Sequence, residues 1–373
     1  MFSSIAKKII NVISRFFAQN YILFESKPDY SDNTRAVYDY IIKNNLFPKY
    51  KKFWVSGSKK NDDLFPTIRN EGVFARLKYH FIFARAKLLI YCNVPCKKVR
   101  DNQISVFLAH GSKSKNTRDT YNMPQDLDYM LIQADMFKQA AKYGYRLSEN
   151  TKMITLGYPR NDDLLTNCGF ERKALFECDF DKVIVWYPTF RQNGGNNKKT
   201  EFNSIPIIHD VSSLEQINNC AKKNNVLIVL KPHFAQNVSY IKKFNASNFK
   251  LIDNEFLSAN NIRSYQLLFL SDALLTDYSS VYYDYLLTDN PIGLVWEDYD
   301  LYKEKRGFAL DADVVYSGGE KIFNADDFCG FIERLCQKKD VLKEERKKIR
   351  DQSNVYQDAN STKRVCEFLE SLL

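Results

Sequence analysis

Short apolar runs that end in polar clusters, separated by helix-patterned stretches, constrain this chain more than any other feature. "YILFES", "KFWVSG", "KLLIYC", "SVFLAH", "LDYMLIQ" and "KMITLG" succeed one another up to Gly157, with stretches such as "NTRAVYDYIIKNN" between them. This alternation is the rhythm of a parallel α/β sheet. The pattern fades around Thr166 to Asp181, which reads as a domain boundary. It restarts with "KVIVWYPT", "VLIVLKPH", "FKLID", "ALLTD" and "PIGLVW", and the tail from Asp326 to Leu373 is helical by pattern and charge. A chain of 373 residues suits two such domains better than one core. The expected organisation is an N-terminal segment over 1–20, an α/β domain over 21–170 and a second over 171–373. Tandem α/β domains place a cleft between them, lined by loops from strand C-terminal ends.

The balance of 54 Lys and Arg against 45 Asp and Glu gives a net charge of +9. That suits anionic partners without choosing among nucleic acid, anionic lipid and phosphorylated substrates. Eight cysteines are scattered along the chain, and only Cys92 and Cys96 lie close, with no His or second pair to complete a zinc site. They read as reduced thiols of a cytoplasmic protein. No run reaches the roughly 20 apolar residues of a spanning helix. The opening "MFSSIAKKIINVISRFF" instead puts Phe2, Ile5, Ile9, Val12, Ile13, Phe16 and Phe17 at helical spacing, with Lys7, Lys8 and Arg15 elsewhere on the wheel. Such a helix either lies in a membrane interface or docks on its own domain.

The polar clusters at the strand ends carry the chemistry. In "LLTDYSSVYYDYLL" an apolar strand over 273–276, ending at Thr276, breaks at Asp277 into a hydroxyl-rich turn. Ser279 and Ser280 then stand at a helix N-terminus, where free N–H groups favour an anion such as phosphate. Asp284, one turn on, can reach a ribose hydroxyl or orient Lys231 or His233, whereas Asp277 either joins the site or only caps the helix. "AHGSKSK" joins His110, the flexible Gly111, the Ser112 hydroxyl and the Lys115 cation. With a pKa near ~6.5, histidine is the natural proton acceptor at neutral pH, and a hydrogen-bonded structural role is the alternative. Lys231 and His233 in "LKPHF", like Thr189 and Arg191 in "YPTFRQ", are two apart and so share one side of an extended chain. Each pair can meet a phosphate, or its cation can be an ordinary solvated charge. "GYPRNDDLL" adds Arg160, Asn161 and Asp162, the last readable as a helix cap. "QNGGNNKKT" is a candidate lid. Neither a P-loop nor a Gly-x-Gly-x-x-Gly turn follows a strand.

Taken in order, "HGSKSK", "GYPRND", "YPTFR", "KPH", "LLTDYSSVYYDYLL" with "NPIGL", and "DYDLYKEKRGF" resemble the CDP-glycerol glycerophosphotransferase family of teichoic-acid polymerases and primases, over about Tyr21 to Phe308. The resemblance implies a GT-B fold, two Rossmann-like domains facing across a cleft, the first for the acceptor and the second for the nucleotide donor. It implies attack of an acceptor hydroxyl on the β-phosphorus of a CDP-polyol, with CMP expelled. By motif position His110 is the base and His233 engages the donor pyrophosphate. Ser279 and Ser280 would hold the diphosphate, supported by Thr276, Asp277, Asp284, Lys231, Thr189, Arg160 and Asn161. Arg191 and Arg306 would offset charge growing on the CMP. Gly111, Ser112, Lys115 and Asp162 would serve the acceptor or support the site.

The implied partners are CDP-glycerol or CDP-ribitol as substrate, a lipid-linked or polymeric glycan acceptor and the anionic inner face of the membrane, with no nucleic acid, cofactor or obligatory metal. Phe234 stands where many members have proline, and the Lys115 motif lacks their usual leucine. These departures leave the donor polyol open. A GT-B glycosyltransferase using a nucleotide-sugar, and a non-catalytic subunit that keeps the fold, are the competing readings.

Overall fold

All eleven apolar runs form strands, and every strand is parallel to its sheet neighbours. The computed structural model describes residues 8–9, 12–56, 66–69, 72–93, 95–116, 121–167, 169–177, 179–190, 205–233, 236, 238, 241 and 246–373. Its first sheet comprises β1 (Tyr21–Glu25), β2 (Lys51–Ser56), β3 (Thr67–Arg69), β4 (Ala86–Tyr91), β5 (Ile104–Phe107), β6 (Tyr129–Ile132) and β7 (Lys152–Thr155), in the order β3-β2-β1-β4-β5-β6-β7. The second comprises β8 (Lys182–Trp186), β9 (Val226–Leu230), β10 (Phe249–Leu251), β11 (Ala273–Thr276), β12 (Ile292–Val295) and β13 (Glu320–Ile322), in the order β10-β9-β8-β11-β12-β13. In each sheet the chain runs outward to one side of its first strand and then to the other, the doubly wound Rossmann order. Strands β3 and β13, "TIR" and "EKI", hold one apolar residue each and so show no apolar run in the sequence.

The strands read as unbroken apolar runs because helices cover both faces of a parallel sheet; all five residues of β9 are buried. The first core packs Phe24 of β1 edge-on to Tyr38 and stacks it with Trp54 of β2. Tyr38 lies on the helix Asp32–Lys43, whose buried Thr34, Val37, Tyr38 and Ile41 form one stripe. The second core sets Trp186 of β8 against Phe328 of the helix Ala325–Cys336.

The division of the chain corrects the expected boundaries. One unit comprises Met1–Ser112, Thr117–Asp162 and Val355–Leu373, the other Lys113–Asn116 and Asp163–Asn354. The boundary therefore falls after Asp162 and not after residue 170. The C-terminal helix Ser361–Glu370, expected with the second domain, returns to the first, because Val365, Cys366 and Leu369 complete the first core. Residues 113–116 join the second unit through backbone bonds from Asn116 N–H to Gly307 O (3.1 Å) and from Ala309 N–H to Ser114 O (2.8 Å).

Among the described residues no helix is long and apolar enough to cross a membrane. The N-terminal segment is helical at 8–9 and 12–14, where Ile9, Val12 and Ile13 are exposed, as are Phe16 and Phe17 after it. Phe2, Ile5 and Lys7 lie outside the described residues, as does the "QNGGNNKKT" loop with Arg191. The described cysteines are all unbridged.

Candidate functional site

In the first unit the chain leaves β5 and turns through Ala109 in the left-handed region (φ 57°) to His110 and then Gly111 at φ 127°. Side-chain bonds hold this turn. Asn33 Nδ2 donates to the carbonyls of Leu108 and Ala109 (both 3.1 Å), and the Cys92 thiol donates to Ala109 O (2.9 Å). His110 presents its ring with 60% of the side chain exposed, while Nδ1 bonds the carboxylate of Asp32, which is 6% exposed. The other oxygen of Asp32 meets Arg160 Nη1 at 2.8 Å, and Arg160 N–H donates to Asn33 Oδ1 (3.1 Å). Burial alone would raise the Asp32 carboxyl, but Arg160 and His110 outweigh it and hold Asp32 well below the usual carboxylate range.

Asp32, Cys92 and His110 bring one potential ligand atom each within 4.8 Å of one another. The chemistry of this set fits a hydrogen-bonded dyad better than a metal centre. Arg160 already neutralises Asp32, and burial pushes the Cys92 thiol well above its ordinary value, so it stays protonated.

Sequence reasoning missed Asp32 and Asn33, and the structure shows what several neighbours bind. Arg160, expected at the donor phosphate, is 6% exposed and committed to Asp32. Asn161 is buried in the same unit. Asp162 is a cap, but of a distant helix: its carboxylate accepts from the N–H groups of Ser361 (2.9 Å) and Thr362 (2.8 Å). The buried Ser112 hydroxyl donates to Gln133 Oε1.

Three adjacent strands of the second sheet carry the other cluster on their C-terminal ends. Beyond β11, the fully buried Asp277 accepts from Thr189 N–H (2.8 Å) and from the Thr189 hydroxyl, tying this turn to the end of β8. Thr276, expected at the donor, spends its hydroxyl on Tyr187 O (2.8 Å). Asp284 is fully buried and accepts from the Tyr265 hydroxyl. Ser279 and Ser280 are half-buried, and neither hydroxyl has a hydrogen-bond partner among the described residues. The helix after them, Val281–Tyr285, has only five residues, so its dipole is weaker than the sequence pattern suggests.

Beyond β9, Lys231 is half-buried and His233 exposed, its ring 4.7 Å from that of Phe190. Burial lowers the Lys231 amine to about 8, against a small opposing effect of Asp253, so it remains a cation at neutral pH. Lys115 pairs with Phe308 in an antiparallel bridge, and Arg306 is exposed at the end of the helix Tyr299–Lys305. The cation the sequence reading passed over is Lys113, 8% exposed and pushed down to about 7 by burial and then by Lys115. The two-residue spacing of Lys113 and Lys115 was the available signal.

Comparison with known proteins agrees with this architecture. The teichoic acid poly(glycerol phosphate) polymerase of Bacillus spizizenii is 30% identical over 342 residues, covering 83% of this chain and 81% of its own. A teichoic acid ribitol-phosphate polymerase of Staphylococcus aureus is 23% identical, covering 82% of this chain and 55% of its own. The solved structure of the wall teichoic acid polymerase TagF superposes with a TM-score of 0.71 at 21% identity, covering 98% of this chain and 92% of that one. The family profile described as CDP-glycerol:poly(glycerophosphate) glycerophosphotransferase matches residues 8–371, and the chain belongs to that family.

Proposed function

We propose that the protein moves glycerol phosphate from CDP-glycerol to a hydroxyl of a lipid-linked or polymeric cell-surface glycan, releasing CMP. The observation that carries this reading is the family match over residues 8–371. In the proposed step the acceptor hydroxyl gives its proton to His110 Nε2 as its oxygen attacks the β-phosphorus. The bond from that phosphorus to the bridging oxygen breaks, CMP leaves with the oxygen, and a phosphodiester remains. Lys231, His233 and the hydroxyls of Ser279 and Ser280 are the proposed partners of the diphosphate, with Arg306 and Arg191 as further cations. These groups can offset the developing charge without an obligatory metal.

The test is nucleotide release by the full chain offered CDP-glycerol, CDP-ribitol and UDP-sugars beside a lipid-linked acceptor. Acceptor-dependent CMP from CDP-glycerol is expected. CMP from CDP-ribitol alone would change the polyol, and UDP from a UDP-sugar would overturn the reading. The nucleotide-sugar alternative is not favoured, since the matched relatives are polyol-phosphate polymerases.

We further propose peripheral binding to the inner membrane face. Beside the exposed N-terminal apolar residues, the helix Val73–Arg85 exposes Val73, Phe74 and Leu77, and Lys8, Arg15, Arg76 and Lys78 are exposed in the same two segments. Phe16 and Phe74, at 85% and 86% exposure, are the residues to insert. Burying each is worth about 2 kcal/mol, so Phe16→Asp with Phe74→Asp should lower co-sedimentation with anionic vesicles at least ~10-fold. Unchanged sedimentation would exclude these residues as the anchor.

A further inference from the structure

The turn bearing His110 is held by groups at the start of the helix Asp32–Lys43, which Arg160 binds in turn. This hydrogen-bonded order has a chemical consequence at the imidazole. A neutral histidine carries one ring proton, and a nitrogen facing an ionised carboxylate must be the one that holds it, since a lone pair there would meet the negative charge. With Nδ1 on Asp32, the lone pair is left on Nε2, on an exposed ring. When Nε2 takes a proton, the ring becomes a cation beside the same carboxylate, which stabilises the charge as it forms.

We propose that Asp32 is a positioning residue for the transfer reaction, holding His110 in the Nδ1–H tautomer with Nε2 open to the acceptor hydroxyl. Arg160 and Asn33 are the supports of that arrangement. The Arg160 guanidinium, 2.8 Å from Asp32, keeps the carboxylate charged and fixes its second oxygen. Asn33 couples the parts: its amide nitrogen clamps the carbonyls of Leu108 and Ala109, and its amide oxygen receives the Arg160 backbone N–H. Asp32 adopts the left-handed region (φ 64°), as does Ala109 (φ 57°), so two non-glycine residues carry backbone strain where base and carboxylate meet. Strain of this kind persists only where surrounding bonds enforce it. Here the enforcing bonds are those of Asn33, Cys92 and Arg160. Arg160 thus contributes to base alignment in the first unit.

This inference rests on the transfer reading above for its kinetic part and is independent of it for its structural part. The full chain is labelled with 15N-histidine, and among the four histidines His110 is identified by its loss in His110→Gln. The neutral form of His110 is expected to carry its proton on Nδ1, and to shift toward the Nε2–H tautomer in Asp32→Asn. A wild-type His110 protonated on Nε2 overturns the proposal, whatever the enzyme's substrate. In the kinetic part, Asp32→Asn should lower kcat for CMP release roughly 100-fold or more while the KM for CDP-glycerol stays within about 3-fold, the scale of a lost base-orienting carboxylate. An unchanged kcat overturns it. So does a fall in kcat with a collapsed melting transition and an unshifted tautomer, which would mark Asp32 as merely structural. Should Asp32→Asn fail to fold, Asp32→Glu keeps the charge, and partial retention of kcat with the Nδ1–H tautomer is the expected result. A wild type that releases no CMP from either CDP-polyol refutes the transfer reading and leaves the tautomer measurement to decide the dyad.

Discussion

His110→Asn is expected to lower kcat for CMP release by roughly 10²- to 10⁴-fold, the contribution of a positioned general base. Asparagine carries its amide nitrogen on Cγ, as histidine carries Nδ1, and can still donate to Asp32, so the turn held by Asn33 and Cys92 has no reason to reorganise. What it lacks is a basic lone pair in place of Nε2. The proposed donor groups, Lys231, His233, Ser279 and Ser280, lie in the second unit and are untouched, so the KM for CDP-glycerol should change little. The split between a large loss of kcat and a steady KM separates a base from a binding residue. Turnover within a few-fold of wild type would remove His110 from the role of base. A rise in KM with an unchanged kcat would reassign it to binding.

The strands were legible because a parallel sheet buried on both faces writes each strand as an unbroken apolar run, as in "VLIVL" of β9. The order of strands follows no local pattern, and it is this order that puts the ends of β9, β8 and β11 side by side. His110, Thr189, His233 and Asp277 were legible as polar residues closing apolar runs. Asp32 was not, because "SDNTRA" reads as an ordinary helix start and lies 78 residues before His110. Arg160 stood out as part of a motif, yet its role depends on that same unseen carboxylate. Lys113 was hidden for a different reason: spacing shows that it shares a side with Lys115, but not which of the two is buried. The helix Ser361–Glu370 was clear from its periodicity. An apolar stripe does not say which of two cores it joins, so its assignment to the second domain had nothing to correct it.

Asp162→Ala should destabilise the first unit by about 3 kcal/mol, the combined scale of a lost helix cap and of buried donors left unmet. The helix Ser361–Glu370 begins at Asn360, whose side chain makes no capping bond. Its first N–H groups, those of Ser361 and Thr362, are met by the Asp162 carboxylate from 199 and 200 residues earlier. The Thr362 hydroxyl adds a bond to Pro159 O (3.1 Å), so the "GYPRND" segment acts as a socket for the C-terminal helix. Gly157 completes it: at φ +78° a Cβ would lie 2.3 Å from Ser361 Oγ, so this position requires glycine both for its backbone and for the close approach. Asp162→Asn keeps one acceptor oxygen and should lose about half as much. For a unit of this size each 1 kcal/mol moves Tm by about 2–4 °C, so Asp162→Ala should melt roughly 6–12 °C below wild type. The loss should appear first as faster hydrogen exchange over 361–370 and in β6, since Phe368 packs edge-on to Tyr129 (5.1 Å). Exchange that stays slow there in a destabilised variant would show that the socket is not what holds the helix to the first core.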